Sequence, residues 1–312
     1  MGAIGLDVGG TKIAGGIVTF PSGQVVTRQV IPTRPERGGP AVLSDALELA
    51  DRLLAEACKR EVAVVGIGVG VAELVDRHGN VTSAHTIAWS NLPVQAAFSE
   101  LAPALVESDA RAPALAEALF GAGRPYRLFT YVTVGTGISY SLVQDQRPYA
   151  GAHGNALILA NTPLTATCPA CGHVSQPTLE ETASGPALVT HYNQARVKAG
   201  FEAGAKHGQE VIAAVAAGDA IAIKVVEMAA TALGTSVGFL INVLDPEAVI
   251  VGGGLGLAGG QYWDKFIAST RAHVYGDLAR NLPIVPAELG VEAGFIGAAV
   301  AAFQRYGQGR ER

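Results

Sequence analysis

Cysteine is scarce in this chain, with three in 312 residues, at Cys58, Cys168 and Cys171. An odd and small number does not build a disulfide framework, so a reducing, cytoplasmic setting is expected. Charge is scarce too. Only 16% of the residues are Asp, Glu, Lys or Arg, and 22 basic residues face 27 acidic ones for a net charge of −5. No basic stripe is visible, so nucleic acid is not an expected partner. No uninterrupted apolar run reaches the ~20 residues of a membrane span, so no membrane partner is expected either. Met1-Gly2-Ala3-Ile4 leads at once into Leu6-Asp7, and nothing there reads as a signal peptide. No G-x-x-x-x-G-K-[ST] phosphate loop is present. What is abundant is apolar residue, at 49%. The chain therefore folds as a globular protein, and its length makes two domains the prior expectation.

The stretch Leu6-Asp7-Val8-Gly9-Gly10-Thr11-Lys12 organises the rest. A short apolar strand delivers Asp7, and Gly9 and Gly10 lack the Cβ atoms that would keep a ligand from the backbone. Their N–H groups, the Thr11 hydroxyl and the Lys12 ammonium form a set suited to phosphate oxygens. Ile13-Ala14-Gly15-Gly16-Ile17-Val18 then reads as a returning strand, so this is a hairpin turn, and an ordinary Gly-Gly hairpin is the alternative reading. The logic recurs later. Leu128–Val134 is strongly β, runs into Gly135-Thr136-Gly137, and continues as a strand over Ile138–Gln144. Two such hairpins suggest two similar halves gripping one ligand, a divergent repeat.

Between and after these hairpins the pattern alternates strand and helix. Residues 1–31 read as three antiparallel strands. Apolar spacing over Ala41–Glu61 predicts a helix, with Cys58 in its apolar stripe. Val62–Val71 is a strand buried on both faces. Pro103–Val106 is a short strand followed by Glu107-Ser108-Asp109, and Ala110–Phe120 is an Ala-rich helix. Helices are expected over 185–208, 209–244, 261–279 and 294–306, with strands at Ala248–Val251, ahead of Gly252-Gly253-Gly254, and at Ile284-Val285.

In this order the motifs resemble the ROK family of bacterial sugar kinases, over nearly the whole chain. The carriers are Asp7-Val8-Gly9-Gly10-Thr11-Lys12, Val134-Gly135-Thr136-Gly137-Ile138, Leu179-Glu180 with Ala183-Ser184-Gly185-Pro186, Asp245-Pro246 with Val251-Gly252-Gly253-Gly254, and Gly294-Phe295-Ile296-Gly297-Ala298-Ala299. The resemblance implies an α/β fold of two actin-like ATPase (ribonuclease H-like) domains with a central cleft. The smaller is expected over 1–108 plus a C-terminal helix at about 296–312, the larger over 109–295. It implies ATP and Mg²⁺ as cofactors. Asp7, Gly9, Gly10, Thr11, Lys12, Gly135, Thr136 and Gly137 would face the phosphates, and Gly253 and Gly254 the adenosine. Asp109 corresponds to the base that takes a proton from a sugar hydroxyl as its oxygen attacks the γ-phosphorus. A helix N-cap is the plainer reading of Asp109, and the two are compatible. The resemblance also implies a homodimer. The transcription-repressor branch carries an extra N-terminal domain ahead of the phosphate loop and is not expected here.

The departures from the family cluster at the sugar. Ser108 replaces an Asn before the base, Ala72-Glu73 stands where the family has Pro-Gly, and His85 replaces an Asn. The G-E-x-G-H segment reads Leu157-Ile158-Leu159-Ala160-Asn161, while Glu180 keeps the family's later acidic contact. Glu73, His85, Ser108, Asp109, Asn161 and Glu180 are thus the candidate substrate contacts. An apolar Ile158 cannot pair with a hydroxyl, so a modified hexose is expected rather than glucose. A carboxylate at Glu73 would favour an amino sugar such as kanosamine through a charge-assisted hydrogen bond. A solvated turn is the plainer reading of Glu73, and a C7-cyclitol, a glucokinase-like hexokinase or a non-catalytic sensor are the alternatives for the whole. The family's zinc knuckle survives only as Cys168-Pro169-Ala170-Cys171-Gly172-His173, with Cys168, Cys171 and His173 as candidate ligands and His153 as a further possibility.

Overall fold

A computed structural model describes residues 1–163 and 166–307. The chain forms two compact units, one of Met1–Arg127, Ser141–Ala156 and Glu288 onward, the other of Leu128–Tyr140 and Leu157–Ala287. The division expected at 108/109 falls inside the first unit, and residues 308–312 of the expected C-terminal stretch lie outside the described residues.

The first unit is built on a five-stranded sheet of order β3-β2-β1-β4-β5. Its strands are β1 (Gly2–Val8), β2 (Lys12–Thr19), β3 (Gln24–Pro32), β4 (Val64–Val71) and β5 (Ala104–Ser108). β1, β2 and β3 form the expected antiparallel meander, while β1, β4 and β5 run parallel. Side chains alternate across β1. Ile4, Leu6 and Val8 join the cluster that includes Val42, Leu49 and Leu53 of helix α1 (Gly39–Lys59). Ala3 and Gly5 face α10 (Ala293–Tyr306), the last helix, which also packs on α3 (Arg111–Phe120). A Cβ at Gly5, Gly68 or Gly297 would overlap a backbone carbonyl of Phe295, Ala298 or Ala112 respectively. The helix therefore lies against the sheet at backbone distance, which is why the Gly-x-x-Gly-Ala-Ala segment is built of small residues. A short helix α2 (Val94–Ser99) precedes β5.

Cys58 is a correction. It is exposed, and Ala57 closes the buried stripe of α1 instead. One residue is 100° of helix rotation, enough to turn a side chain from core to solvent.

The second sheet has the order β12-β11-β6-β7-β8, from β6 (Leu128–Val134), β7 (Ile138–Gln144), β8 (Arg147–Pro148), β11 (Ala248–Gly252) and β12 (Ile284–Pro286). The sequence of connections is the same as in the first sheet: a three-strand run from a tight turn, then two parallel strands on its other side. This repeated order is the doubled actin-like arrangement that the sequence repeat implied. A small hairpin of β9 (Ala166–Thr167) and β10 (Val174–Ser175) carries the cysteines. The helices of this unit are α4 (Glu180–Ala183), α5 (Gly185–Lys198), α6 (Gly208–Ala216), α7 (Ala220–Leu244), α8 (Gly260–His273) and α9 (Asp277–Arg280).

The long helix expected over 209–244 is two. Gly218 ends α6 with φ +82°, and the Asp219 carboxylate caps α7 by accepting the N–H groups of Ile221 and Ala222 at 2.8 and 3.1 Å. The stretch 199–207 is likewise non-helical, with Asn193 accepting the N–H groups of Gly204 and Ala205. By length and composition α7 is long and apolar enough to cross a membrane. Its Val226, Ala230, Leu233, Val237 and Ile241 form the centre of the second unit's core, packed on α8.

Candidate active site

In the first unit three chain segments leave the carboxyl ends of neighbouring parallel strands, with Val8, Val71 and Ser108 in register. Ligands of open α/β sheets bind at such ends. The first segment is the 9–11 turn, closed by Gly9 N–H to Lys12 O at 3.0 Å. Thr11 and Lys12 are exposed and Gly9 and Gly10 half-buried, so the groups expected to face phosphate stay accessible. Thr33, fully buried after β3, holds this turn from behind. Its hydroxyl donates to Gly9 O at 2.6 Å and its N–H to Thr11 O at 3.1 Å. The sequence reading missed Thr33, because a Thr after a strand carries no local mark of a contact 24 residues away.

Asp7 falls on the α10 face of β1. Gly294, second residue of α10, makes room for it, since a Cβ there would stand 2.5 Å from Asp7 Oδ2. Burial pushes the Asp7 carboxyl up to about 6, against the pull of Lys12.

Asp109 follows β5 directly, and its N–H reaches Val71 O at 3.0 Å. Burial first, then the charge of Asp7, push its carboxyl up to about 7. Glu73 adds to the rise, and the Ala110 N–H and Arg111 oppose it. A carboxylate poised near neutrality is the property a proton acceptor needs. Asp109 is not the helix cap. Ala110 holds that position without a side-chain cap, and Ser108 Oγ accepts the Ala110 N–H at 3.2 Å.

Glu73 is neither a solvated turn residue nor a free carboxylate. It is 6% exposed. Oε1 accepts the N–H groups of Thr86 and Ile87 at 2.7 Å each, and Oε2 accepts the His85 N–H at 2.9 Å and the Ser83 hydroxyl. Four donors use the four lone-pair sites of a carboxylate. Burial would raise its pKa, but the bonds from Ser83, Ile87, Thr86 and His85 prevail and hold it below the usual carboxylate range. The expectation that Glu73 reads a substrate ammonium is therefore corrected, because no acceptor site is left over. Its work is to fold 83–87 back. In that loop the Thr86 methyl sits so close to Gly10 that a Cβ there would stand 2.7 Å away. Trp89, fully buried, anchors the loop's far end by donating to Gly39 O at 3.0 Å. The His85 side chain is exposed.

The second unit repeats the placement with different chemistry. The Gly135-Thr136-Gly137 turn leaves β6, closed by Gly135 N–H to Gly137 O at 2.9 Å, and Gly253-Gly254 leaves the parallel β11. Gly253 has φ +83°, and a Cβ on it would overlap the Val134 carbonyl, whereas nothing lies within 4 Å of a Cβ on Gly254. The two turns thus meet, with open backbone around Gly254 and an exposed Thr136. Ser184 caps α5, and the Gly185 N–H donates to Gly135 O at 2.8 Å, which explains the Ala-Ser-Gly-Pro segment. Glu180 Oε2 accepts the Ile138 N–H at 2.9 Å, so this residue braces the turn. Tyr140 is buried and bonds Ser236 at 2.9 Å; burial raises its pKa despite that bond. Ile158 is 42% exposed, and Asn161 is exposed beside it in the chain.

The cysteine hairpin keeps the shape of a metal knuckle without its ligand set. Cys168 N–H donates to His173 O and Gly172 N–H to Cys168 O, both at 2.8 Å. The N–H groups of Cys171 and Ala170, and the Cys171 side chain, hold the Cys168 thiol below its ordinary pKa. Among the described residues no group of three or more His, Cys, Asp or Glu is arranged to hold a metal. A structural zinc takes four protein ligands, so Cys168, Cys171 and His173 do not fit one.

The sequence matches the ROK family over residues 3–305. A glucokinase from Streptomyces coelicolor is 30% identical, covering 95% of this chain and 96% of that protein. One from Halalkalibacterium halodurans is 28% identical, covering 94% and 92%. Among solved structures, a ROK family glucokinase from Streptomyces griseus in complex with glucose and AMPPNP gives a TM-score of 0.82 at 28% identity, covering 97% of this chain and all of that one. A ROK hexokinase from Thermus thermophilus gives 0.79 at 31%, covering 99% and 100%. The doubled sheet order, the two glycine turns at parallel strand ends and a match from end to end agree: the chain belongs to the ROK family.

Proposed function

We propose that the chain is an ATP-dependent carbohydrate kinase that phosphorylates the primary hydroxyl of a modified hexose ring. The observation that carries this reading is Asp109: a carboxylate at a parallel strand end, beside Asp7 and the phosphate turn, with its pKa raised to about 7. In the transfer, the substrate hydroxyl oxygen bonds to the γ-phosphorus, the bond to the ADP oxygen breaks, and Asp109 takes the hydroxyl proton. The backbone N–H groups of Gly10, Thr11, Thr136 and Gly137, with the Thr11 and Thr136 hydroxyls and Lys12, suit phosphate oxygens. The open backbone at Gly254 suits the nucleoside, and Asp7 suits Mg²⁺ held partly through water. That ion supplies neutralisation of phosphate charge. The relatives named glucokinase and the neighbour holding glucose and AMPPNP support the class of reaction.

The substrate reading turns on Glu73. With its carboxylate saturated, kanosamine and other amino sugars lose the contact that favoured them. The exposed, apolar Ile158 offers a hydroxyl no partner and favours a deoxy ring, with a carbocyclic hexose mimic of the C7-cyclitol kind as the alternative modified ring. A coupled ADP-release assay with Mg-ATP tests both levels. It would offer glucose, mannose, glucosamine, N-acetylated hexosamines, kanosamine, deoxyhexoses and valienol-type cyclitols. Turnover on a deoxy or carbocyclic ring with little on glucose is the expected result. Preference for an amino sugar would restore the first substrate reading. Silence on every ring, with ATP still bound by calorimetry, would leave a sensor. The homodimer belongs to the same proposal and is checked by sedimentation.

A further inference from the structure

Arg111 is the only Lys or Arg that is buried among the described residues, at 7% exposure. A cation leaves water only where other groups replace its hydration. Its position in the first turn of α3 does not help the helix, because a basic residue there opposes the helix dipole. What it has instead is a set of four partner contacts across three chain segments. Its Nε and Nη2 reach Glu107 Oε1 at 2.6 and 2.5 Å, at the end of β5. Nη2 also donates to Val75 O at 3.2 Å, in the segment after β4, and Nη1 donates to Gly154 O.

Those two carbonyls belong to segments that already touch. A Cβ on Gly154, at φ +83°, would overlap Val75 O. The segment after β4 is tied onward to 82–83, by Thr82 N–H to Leu74 O and Leu74 N–H to Ser83 Oγ, both at 2.8 Å, and so to the loop that Glu73 holds. The segment 150–156 leads into Leu157–Asn161, which the family resemblance associates with the sugar. Asp109 lies two residues before Arg111.

We propose, building on the kinase reading above, that Arg111 is a positioning residue. Its planar guanidinium clips the 73–87 and 150–156 loops to the start of α3, two residues after Asp109, and so sets the spacing between base and sugar loops. The fixed fork of donors is what the task requires, since a lysine ammonium is a single point and cannot span three acceptors at once.

Arg111→Met and Arg111→Lys test this by amide hydrogen exchange, steady-state kinetics and the pH profile. In the Met variant, exchange in 74–87 and 150–156 rises about tenfold while β6 amides are unchanged. On the active ring kcat/KM falls about 100-fold, with KM for Mg-ATP within about twofold. The charges facing Asp109 are Asp7 on β1, Glu73 after β4, and Arg111, with Glu107 paired to Arg111. Losing the cation therefore moves the acid limb of kcat/KM to higher pH. The Lys variant restores the limb but not the exchange protection or kcat/KM. Unchanged exchange and an unmoved limb in the Met variant, or full rescue by Lys, would overturn the clip. Should the Met variant fail to fold, wild-type exchange and kcat/KM in the Lys variant would overturn it. A wild-type chain silent on every ring, with 74–87 and 150–156 still loosened in the Met variant, sinks the kinase reading and leaves the clip. Wild-type turnover with no loosening does the reverse.

Discussion

The two sheets share a strand order and put their candidate site segments at the same place, the carboxyl ends of parallel strands, yet they fill it differently. The first unit places Asp7, Glu73 and Asp109 there, with Arg111 buried beside them. The second places Gly135, Gly137, Gly253 and Gly254, with Glu180 bracing the turn. One set of strand ends carries carboxylates with raised pKa at Asp7 and Asp109; the other presents backbone. The difference teaches that the fold supplies a location, while side chains decide whether it does chemistry or only binds.

Substituting Asp109, the proposed proton acceptor, should separate the two ends most sharply. Asp109→Asn lowers kcat by about a thousandfold while ATP affinity, by calorimetry, is retained. Turnover within tenfold of wild type would end its role as base. The same variant reports on stability. Between about pH 4 and pH 7 the folded state holds a proton on Asp109 that the unfolded chain has released, so wild-type stability falls as pH rises through that window. Above pH 7 the Asn variant should be more stable, by on the order of 2 kcal/mol in urea titrations.

At the glycine end the expected pattern is inverted. Gly253→Val forces a side chain onto the Val134 carbonyl at a positive φ, and should cost about 2–3 kcal/mol of stability and more than tenfold in ATP affinity. The acid limb of the pH profile should not move. A shifted limb would show that the glycine end also tunes the base.

Glu73→Gln is a smaller and mixed perturbation. Its amide turns a donor toward backbone N–H groups, costing about 1–3 kcal/mol and loosening 83–87 in hydrogen exchange. Removal of a negative neighbour should also move the acid limb to lower pH, the opposite direction to Arg111→Met. An unmoved limb would mean that Glu73 acts through the loop alone.

The smallest effect belongs to the cysteine hairpin. Pretreatment with a zinc chelator, followed by Mg²⁺, should leave activity within about twofold and Tm within about 2 °C, as should Cys168→Ser. A collapse on chelation would show that a metal is held there after all.

Much of this was legible locally. β6 and β7 begin and end where alternation and turn glycines put them, both glycine turns join the strands expected on either side of them, and Asp109 follows β5. The break at Gly218-Asp219 was legible as a helix stop followed by a cap, but an Ala-rich pattern on both sides masked it. Cys58 turned outward because a stripe read from spacing alone is uncertain by one position at a helix end.

By itself the sequence determined which segments are strands, which turns are built of glycine, and which carboxylate closes β5, because period and turn chemistry are written in neighbouring residues. Only the tertiary structure decided what Glu73, Thr33 and Arg111 do. Each bonds backbone groups 12 to 43 residues away. A carboxylate, a hydroxyl or a guanidinium looks the same in a sequence whether it meets solvent, substrate or its own chain. What distinguishes them is whether folding brings enough donors and acceptors to replace water.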